Sequence, residues 1–381
     1  MATHFDAIVI GIGGMGSATL YHLAKRGLNV LGIEQFEIPH EMGSSHGLTR
    51  IIRLAYYEDP SYVPLLRRTY ELWSDLEKES GETVFYQTGS LDFSPEDNEV
   101  FAGSLKSCLE HDLEHEVLTS QQITEHFPGY QLPSETMGLF QPQGGLLVPE
   151  RCIVAHAEMA KKHSATLHTG ERVKGWEILA DDRVEVTTDN ATYTADKLAI
   201  CGGAWAYKLV PSLEGTAVPE RQVLIWMETK KPDFFTPERF PVWNGVTEEG
   251  RYYGFPEFNP TGDTPGMKFG RYHHLDEYVD PDTVDRTPNN ADETLLRTFG
   301  ERYFPDGAGK TVSLKACMFT NTPDEHWVLD TLPDAPQVAV AAGFSGHGFK
   351  MASVIGEVMA DLTQHSETKH NIALHRLGRF A

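Results

Sequence analysis

The sequence predicts an α/β fold in which a nucleotide-binding domain is built from separated segments with a second domain inserted between them. Three observations carry this expectation. "FDAIVIGIGGMGSATLYHLAKRGLNVLGIEQF" opens the chain with a strand, a glycine turn, a helix and a second strand. Strand-like pieces of the same character return in "RVEVTTDNATYTADKLAICGGAW" and in "QVAVAAG" (337–343). At 381 residues the chain is also too long for one simple core.

Phe5 to Ile10 is a short β-branched run suited to a buried parallel strand. Gly11, Gly13 and Gly16 form GxGxxG. Gly11 permits a tight turn, Gly13 lets backbone approach a pyrophosphate, and Gly16 brings helix and strand together. Ala18, Leu20, Leu23 and Ala24 then recur at helical spacing between Ser17 and Arg26, Gly27 ends that helix, and Leu28 to Ile33 reads as the second strand. Glu34 at its end suits a ribose 2′-hydroxyl and would repel a 2′-phosphate. The motif therefore points to a dinucleotide and leaves NAD and FAD open. Helices are expected over 61–78, with Pro64 in the first turn, and over 150–162. A Pro- and aromatic-rich middle spans about 217–280, and "FSGHGFKMASVIGEVMADL" reads as a loop entering a final helix.

Composition narrows the function. A formal net charge of −23 opposes phosphate backbones, so no nucleic-acid partner is expected. No apolar run is long enough to span a membrane, and "MATHFDAIVIGIGG" lacks the form of a signal peptide, which predicts a soluble cytoplasmic protein with no membrane partner. Cys108, Cys152, Cys201 and Cys317 lie far apart and form no CxxC pair, against a zinc knuckle or disulfide scaffold. A lone cysteine such as Cys317 is by default a small buried hydrophobe. His111 and His115 stand four apart among acids, a spacing that suits either a metal or a solvated helix face; the solvated face is expected, and no metal.

Three further stretches look chemical. "GSSHGLTRIIR" carries His46, Thr49, Arg50 and Arg53, "YYGFPEF" and "GMKFGRYHH" carry Tyr253, Lys268, His273 and His274, and "GFSGHGFK" carries Gly346, His347, Gly348 and Lys350. Each charge taken alone could simply face solvent.

Together with GIGGMG and CMFTNTPDEHWVLD, these stretches, in order from residue 5 to about 378, resemble the monomeric sarcosine oxidase and N-methyltryptophan oxidase family, within the glycine oxidase and D-amino-acid oxidase-like flavoproteins. The resemblance implies a Rossmann-type FAD-binding domain of segments 1–85, 145–215 and 320–381. It also implies an interleaved α+β substrate domain on a mixed β-sheet, 86–144 and 216–319. It implies FAD held covalently through a thioether at Cys317, with Gly11, Gly13, Gly16, Glu34, His46, Thr49, Arg50, Gly346, His347, Gly348 and Lys350 around the cofactor. The implied reaction oxidises the C–N bond of a secondary amino acid such as sarcosine, with O2 as electron acceptor, in a monomeric enzyme. Arg53 and Lys350 would clamp the substrate carboxylate, with Tyr253 at the pocket's border. Lys268 would serve oxygen, Arg50 would favour the reduced flavin, and His273 would be the active-site histidine.

Leu48, Ser45 and Phe319 depart from the family's aspartate, histidine and tyrosine, and Tyr272 stands where its histidine is usual, which leaves the substrate side chain open. A larger N-methyl amino acid or a cyclic imino acid fits as well. A dehydrogenase using a carrier, a flavin-binding assembly subunit and an NAD enzyme are the competing classes.

Overall fold

The computed structural model describes residues 3–260 and 266–380. The β-branched run at the N-terminus forms strand Thr3–Ile10, which lies parallel to Val30–Ile33 on one side and Thr192–Ile200 on the other. Thr166–His168 adds in parallel to Val30–Ile33, and Ala335–Ala342 pairs in parallel with Thr192–Ile200. Val30–Ile33 and the C-terminal halves of Thr3–Ile10 and Ala335–Ala342 are buried without alternation because both faces are covered, as parallel sheets require. Antiparallel strands Val173–Ile178, Val184–Thr188 and Val328–Leu332 complete eight.

Helix Gly14–Lys25 packs on this sheet against the terminal helix Ala352–His365. Their approach is close: a Cβ on Gly356 would lie 2.5 Å from the Ala18 carbonyl carbon. Gly16 is tighter still, its imagined Cβ 1.7 Å from the Gly11 carbonyl oxygen, which is why helix and strand can meet there. The helix expected from Ser61 begins as an α-helix at Val63 and runs to Ser80. Its first turn, Pro60–Tyr62, is 3₁₀, capped by the Asp59 side chain accepting from the Ser61 N–H. Helix Pro149–Lys162 matches its expected span.

The second large sheet is mixed. Strands Thr311–Asn321, Val218–Met227, Met267–Arg271, Gly250–Phe255 and Val242–Thr247 run antiparallel in that order. Ser90–Pro95 then joins in parallel, followed by Thr136–Gln141 and Glu116–Thr119. One face is apolar and packs on helix Asn290–Tyr303, where Tyr252 stacks on Phe299 with ring centroids 3.7 Å apart.

The other face carries the chemistry, and strand periodicity puts it there. Tyr253 opposes Gly270, Phe255 and Trp226 flank Lys268, and Cys317 opposes Gln222. Residues directly opposite, or two apart on one strand, share a face. Arg251, Tyr253, Lys268, Cys317 and Phe319 therefore all project from the same side. A short three-stranded sheet, with Gly145–Leu147 between Arg50–Ile52 and Phe85–Gln87, anchors Arg50. His111 is the C-cap of helix Glu99–Glu110, with its Nε2 on the Pro60 carbonyl oxygen, and His115 lies past the helix end. The two histidines share no helical face.

Candidate active site

A cavity of about 420 Å³ runs along the first sheet's glycine turn to the second sheet. Gly11, Gly13, Glu34, Arg50, Gly346 and Gly348 line it, as do Met318 and Phe319. Gly11 sits at φ +83 and Gly346 at φ +78, in the left-handed region that glycine adopts at no steric cost. A Cβ at Gly13 would meet nothing within 4 Å, so its backbone faces open space. That is the feature a pyrophosphate needs, and together with the acid at the end of the second strand it fits FAD. Glu34 is buried. Its Oε2 accepts from the Ile12 N–H at 2.7 Å and its Oε1 from the Phe36 N–H at 3.1 Å, which orients the carboxylate and leaves lone pairs for a ribose. Burial raises its pKa, against the pull of those backbone donors.

Segment 44–50 wraps the cavity's far end. Gly47 and Leu48 take positive φ, and both donate their N–H groups to Glu150 Oε1. Glu150 is a residue that sequence reasoning did not single out; its position at the start of helix 149–162 was the available signal. Arg50 is held by the carbonyl oxygens of Thr49 and Ser44 at 2.8 and 2.6 Å. Lys268 Nζ donates to Gly47 O, Thr49 O and Thr49 Oγ1 at 2.7, 2.8 and 2.9 Å, so all three of its N–H bonds have acceptors. Burial first, then the Arg50 charge, holds its pKa well below that of an exposed lysine. His46 is buried with no hydrogen-bond partner on either ring nitrogen among the described residues, and burial and Arg50 lower its pKa to about 3, so the ring is neutral. His46 follows Ser45, which lines the cavity, but does not line it itself.

Cys317 is buried on the same sheet face. Burial raises its thiol pKa, opposed by Arg50 and Lys268. Cys108 and Cys201 are pushed up to about 12, and Cys152 is raised well above its ordinary value; none of the three faces two cations. Cys317 is thus the thiol at which two neighbouring cations oppose the effect of burial.

The expected clamp forms a second cluster. Arg53 and Lys350 both lie over Tyr56, at 4.6 and 5.2 Å from its ring centre. The Lys350 ammonium donates to His347 O at 2.6 Å, and His347 Nδ1 meets the Tyr56 hydroxyl at 2.6 Å. Burial, then Arg53, lowers the Lys350 pKa to about 7; Glu58 and Asp92 oppose that shift. Burial likewise lowers His347 to about 4. Arg53 is fully buried, paired with Glu58 at 2.8 Å, near Asp92 at 3.6 Å, and bonded to the Ala55 carbonyl oxygen. Its Nε has no partner.

Tyr253, Tyr272 and Phe319 make an aromatic wall beside this cluster, with Tyr272 centred 5.2 Å from Tyr253 and 5.6 Å from Phe319. Gly270 makes room for it: a Cβ there would lie 2.8 Å from the Tyr253 hydroxyl. His273 is placed differently from the expectation. Its Nδ1 and Nε2 bond Glu220 at 2.9 Å and Glu325 at 3.1 Å, and these two acids raise its pKa to about 10. Tyr272 is the residue of this turn that meets the wall. His274 is buried on Asp292 at 2.9 Å.

Comparison with known proteins agrees with this geometry. A family model described as FAD dependent oxidoreductase matches residues 6–362. Monomeric sarcosine oxidase of Bacillus sp. (strain NS-129) is 41% identical over 386 residues, covering 100% of this chain and 98% of the relative. Human peroxisomal sarcosine oxidase is 34% identical, covering 99% and 96%. N-methyl-L-tryptophan oxidase of Yersinia pestis is 33% identical, covering 99% of each chain. Among solved structures, NikD, an amino acid oxidase of nikkomycin biosynthesis, shares the fold at TM-score 0.85 and 24% identity, covering 98% and 97%. Full-length sequence similarity and a glycine cradle shaped for a dinucleotide lead to one conclusion: the chain belongs to the FAD-dependent oxidoreductase family.

Proposed function

We propose that this protein is an FAD-dependent oxidase of secondary amino acids, with sarcosine or another N-methyl amino acid as substrate. The observation that carries the reading is the pairing of Arg53 and Lys350 over Tyr56, beside a wall on the sheet face that also presents Lys268 and Cys317. A carboxylate entering there meets a planar fork and a point charge. The wall keeps water from the reacting C–N bond. The relatives named as sarcosine and N-methyl-L-tryptophan oxidases support the same amine class. FAD, held by Gly11, Gly13 and Glu34, would supply the two-electron redox chemistry between the amine and oxygen. The balance for an N-methyl substrate is amine, O2 and water to primary amino acid, formaldehyde and hydrogen peroxide.

In this reading segments 1–85, 145–215 and 320–381 bind FAD, attached through Cys317. Segments 86–144 and 216–319 hold the substrate, and the protein works as a monomer. Lys268, fixed beside Thr49, supplies positive character where oxygen is reduced. No described helix is long and apolar enough to cross a membrane.

Rapid mixing tests the proposal. An anaerobic panel of N-methyl and cyclic amino acids should bleach the flavin absorbance, and air should restore it with one peroxide per turnover. Lys268→Met should slow the second step far more than the first. Bleaching that air does not reverse would make the protein a dehydrogenase.

A further inference from the structure

Arg251 stands at the site without an assigned role. It projects from the same sheet face as Tyr253, two residues along one strand. Its guanidinium stacks over Tyr272 at 3.9 Å and over Tyr57 at 4.8 Å, and Nη2 donates to the Tyr57 hydroxyl. Tyr272 is the ring that touches Tyr253 and Phe319. Glu58 links Arg251 to the clamp, since its carboxylate pairs with Arg53 at 2.8 Å and lies 3.9 Å from Arg251.

The bonding of Arg251 is incomplete. Among the described residues its Nε is buried and without a partner, and Nη1 reaches only Glu325 at 3.4 Å. Arg221 shows what a satisfied arginine of this sheet looks like. It makes a bidentate pair with Asp292 at 2.9 and 2.8 Å, and Nε donates to the Asp285 carbonyl oxygen at 3.0 Å. Each acid near Arg251 already has a closer cation: Glu58 has Arg53 at 2.8 Å and Glu325 has His273 at 3.1 Å. Arg251 shares both acids, at 3.9 Å from Glu58 and 3.4 Å from Glu325, and makes a bidentate pair with neither. A planar fork with unused donors, held rigid between two rings, recognises a carboxylate.

We propose that Arg251 is a specificity-determining residue that reads a second carboxylate, carried on the substrate's side chain. The preferred substrate class is then an N-alkylated dicarboxylic amino acid, its α-carboxylate on Arg53 and Lys350 and its side chain on Arg251. The inference rests on the amine-oxidase reading, deepens it, and can fail separately from it.

The test uses flavin-loaded enzyme and two inert thioether analogues, methylthioacetate and methylthiosuccinate, titrated by the change in flavin absorbance. Wild type should bind the diacid at least about tenfold more tightly, a difference of about 1.4 kcal/mol. Arg251→Met should erase that gap and Arg251→Lys should keep part of it. In turnover, the ratio of kcat/KM for N-methyl-L-aspartate over sarcosine should collapse in Arg251→Met. Equal binding of the two analogues by wild type, weaker binding of the diacid, or binding of neither overturns the proposal, and this arm decides even if the variants fail to hold flavin. A diacid preference in binding with no amine bleaching the flavin would instead leave Arg251 as an anion reader and overturn the oxidase reading.

Discussion

Lys350 concentrates the residue-scale physics. A lysine in water holds its proton to about pH 10.4, but this one is buried beside Arg53, and its pKa falls to about 7. A carboxylate bound at the clamp favours the charged form, so above pH 7 binding must take up a proton. The affinity of flavin-loaded enzyme for methylthioacetate should therefore be level below about pH 7 and fall by up to about tenfold per pH unit above it. Lys350→Met should weaken binding by about 1.5–3 kcal/mol and flatten the profile. A wild-type affinity constant from pH 6 to 9 would remove Lys350 from the clamp. His347, at about 4, is neutral throughout and adds no slope in that window.

Contact between elements decides whether the cofactor cradle forms at all. Helix Gly14–Lys25 packs on the first sheet beside helix Ala352–His365, and two missing side chains let it in. Gly356 faces the Ala18 backbone at 2.5 Å from its imagined Cβ, so Gly356→Val must push the two helices apart. Overpacking of this kind costs about 1–3 kcal/mol. The urea midpoint of Gly356→Val should fall accordingly, while Gly378→Ala, whose new Cβ would meet nothing within 4 Å, should leave it in place. Equal midpoints for both variants would mean the helices are not in the close contact described.

Taken whole, the molecule lays a dinucleotide cavity along one sheet and ends it at the chemical face of another. A noncovalent FAD would depend on that whole arrangement, because unfolding dissolves every hydrogen bond of the cradle. A thioether at Cys317 would outlast it. Protein precipitated by acid should be yellow, its flavin should travel with the polypeptide on a denaturing gel, and the peptide containing Cys317 should carry the mass of FAD. Cys317→Ser should release its flavin on the same treatment. A colourless pellet from yellow wild-type enzyme would end the covalent assignment.

The dinucleotide cradle was legible from sequence because each of its parts is local. A β-branched run, glycines at 11, 13 and 16, a helix-period stretch and an acid at 34 act within one strand–helix–strand unit, and Gly11, Gly13 and Glu34 line one cavity. The mixed sheet and the side chains at Arg53, Lys268, Cys317 and Lys350 were reached through resemblance, since what brings them to one site is contact between segments far apart in the chain. Only tertiary structure decided those partners. Lys268 lies against Thr49, 219 positions distant, and His347 against Tyr56, 291 distant. It also decided which residue of the Arg271–His274 turn meets the aromatic wall: Glu220 from one strand and Glu325 from the turn after another capture His273 and leave that place to Tyr272. Arg251 was invisible in the sequence for the same reason. A strand arginine reads as a solvated charge until the fold surrounds it with rings and gives its nearest acids to other cations. Backbone preference and glycine sterics act over a few residues, whereas charge pairing and burial depend on whatever the fold brings near.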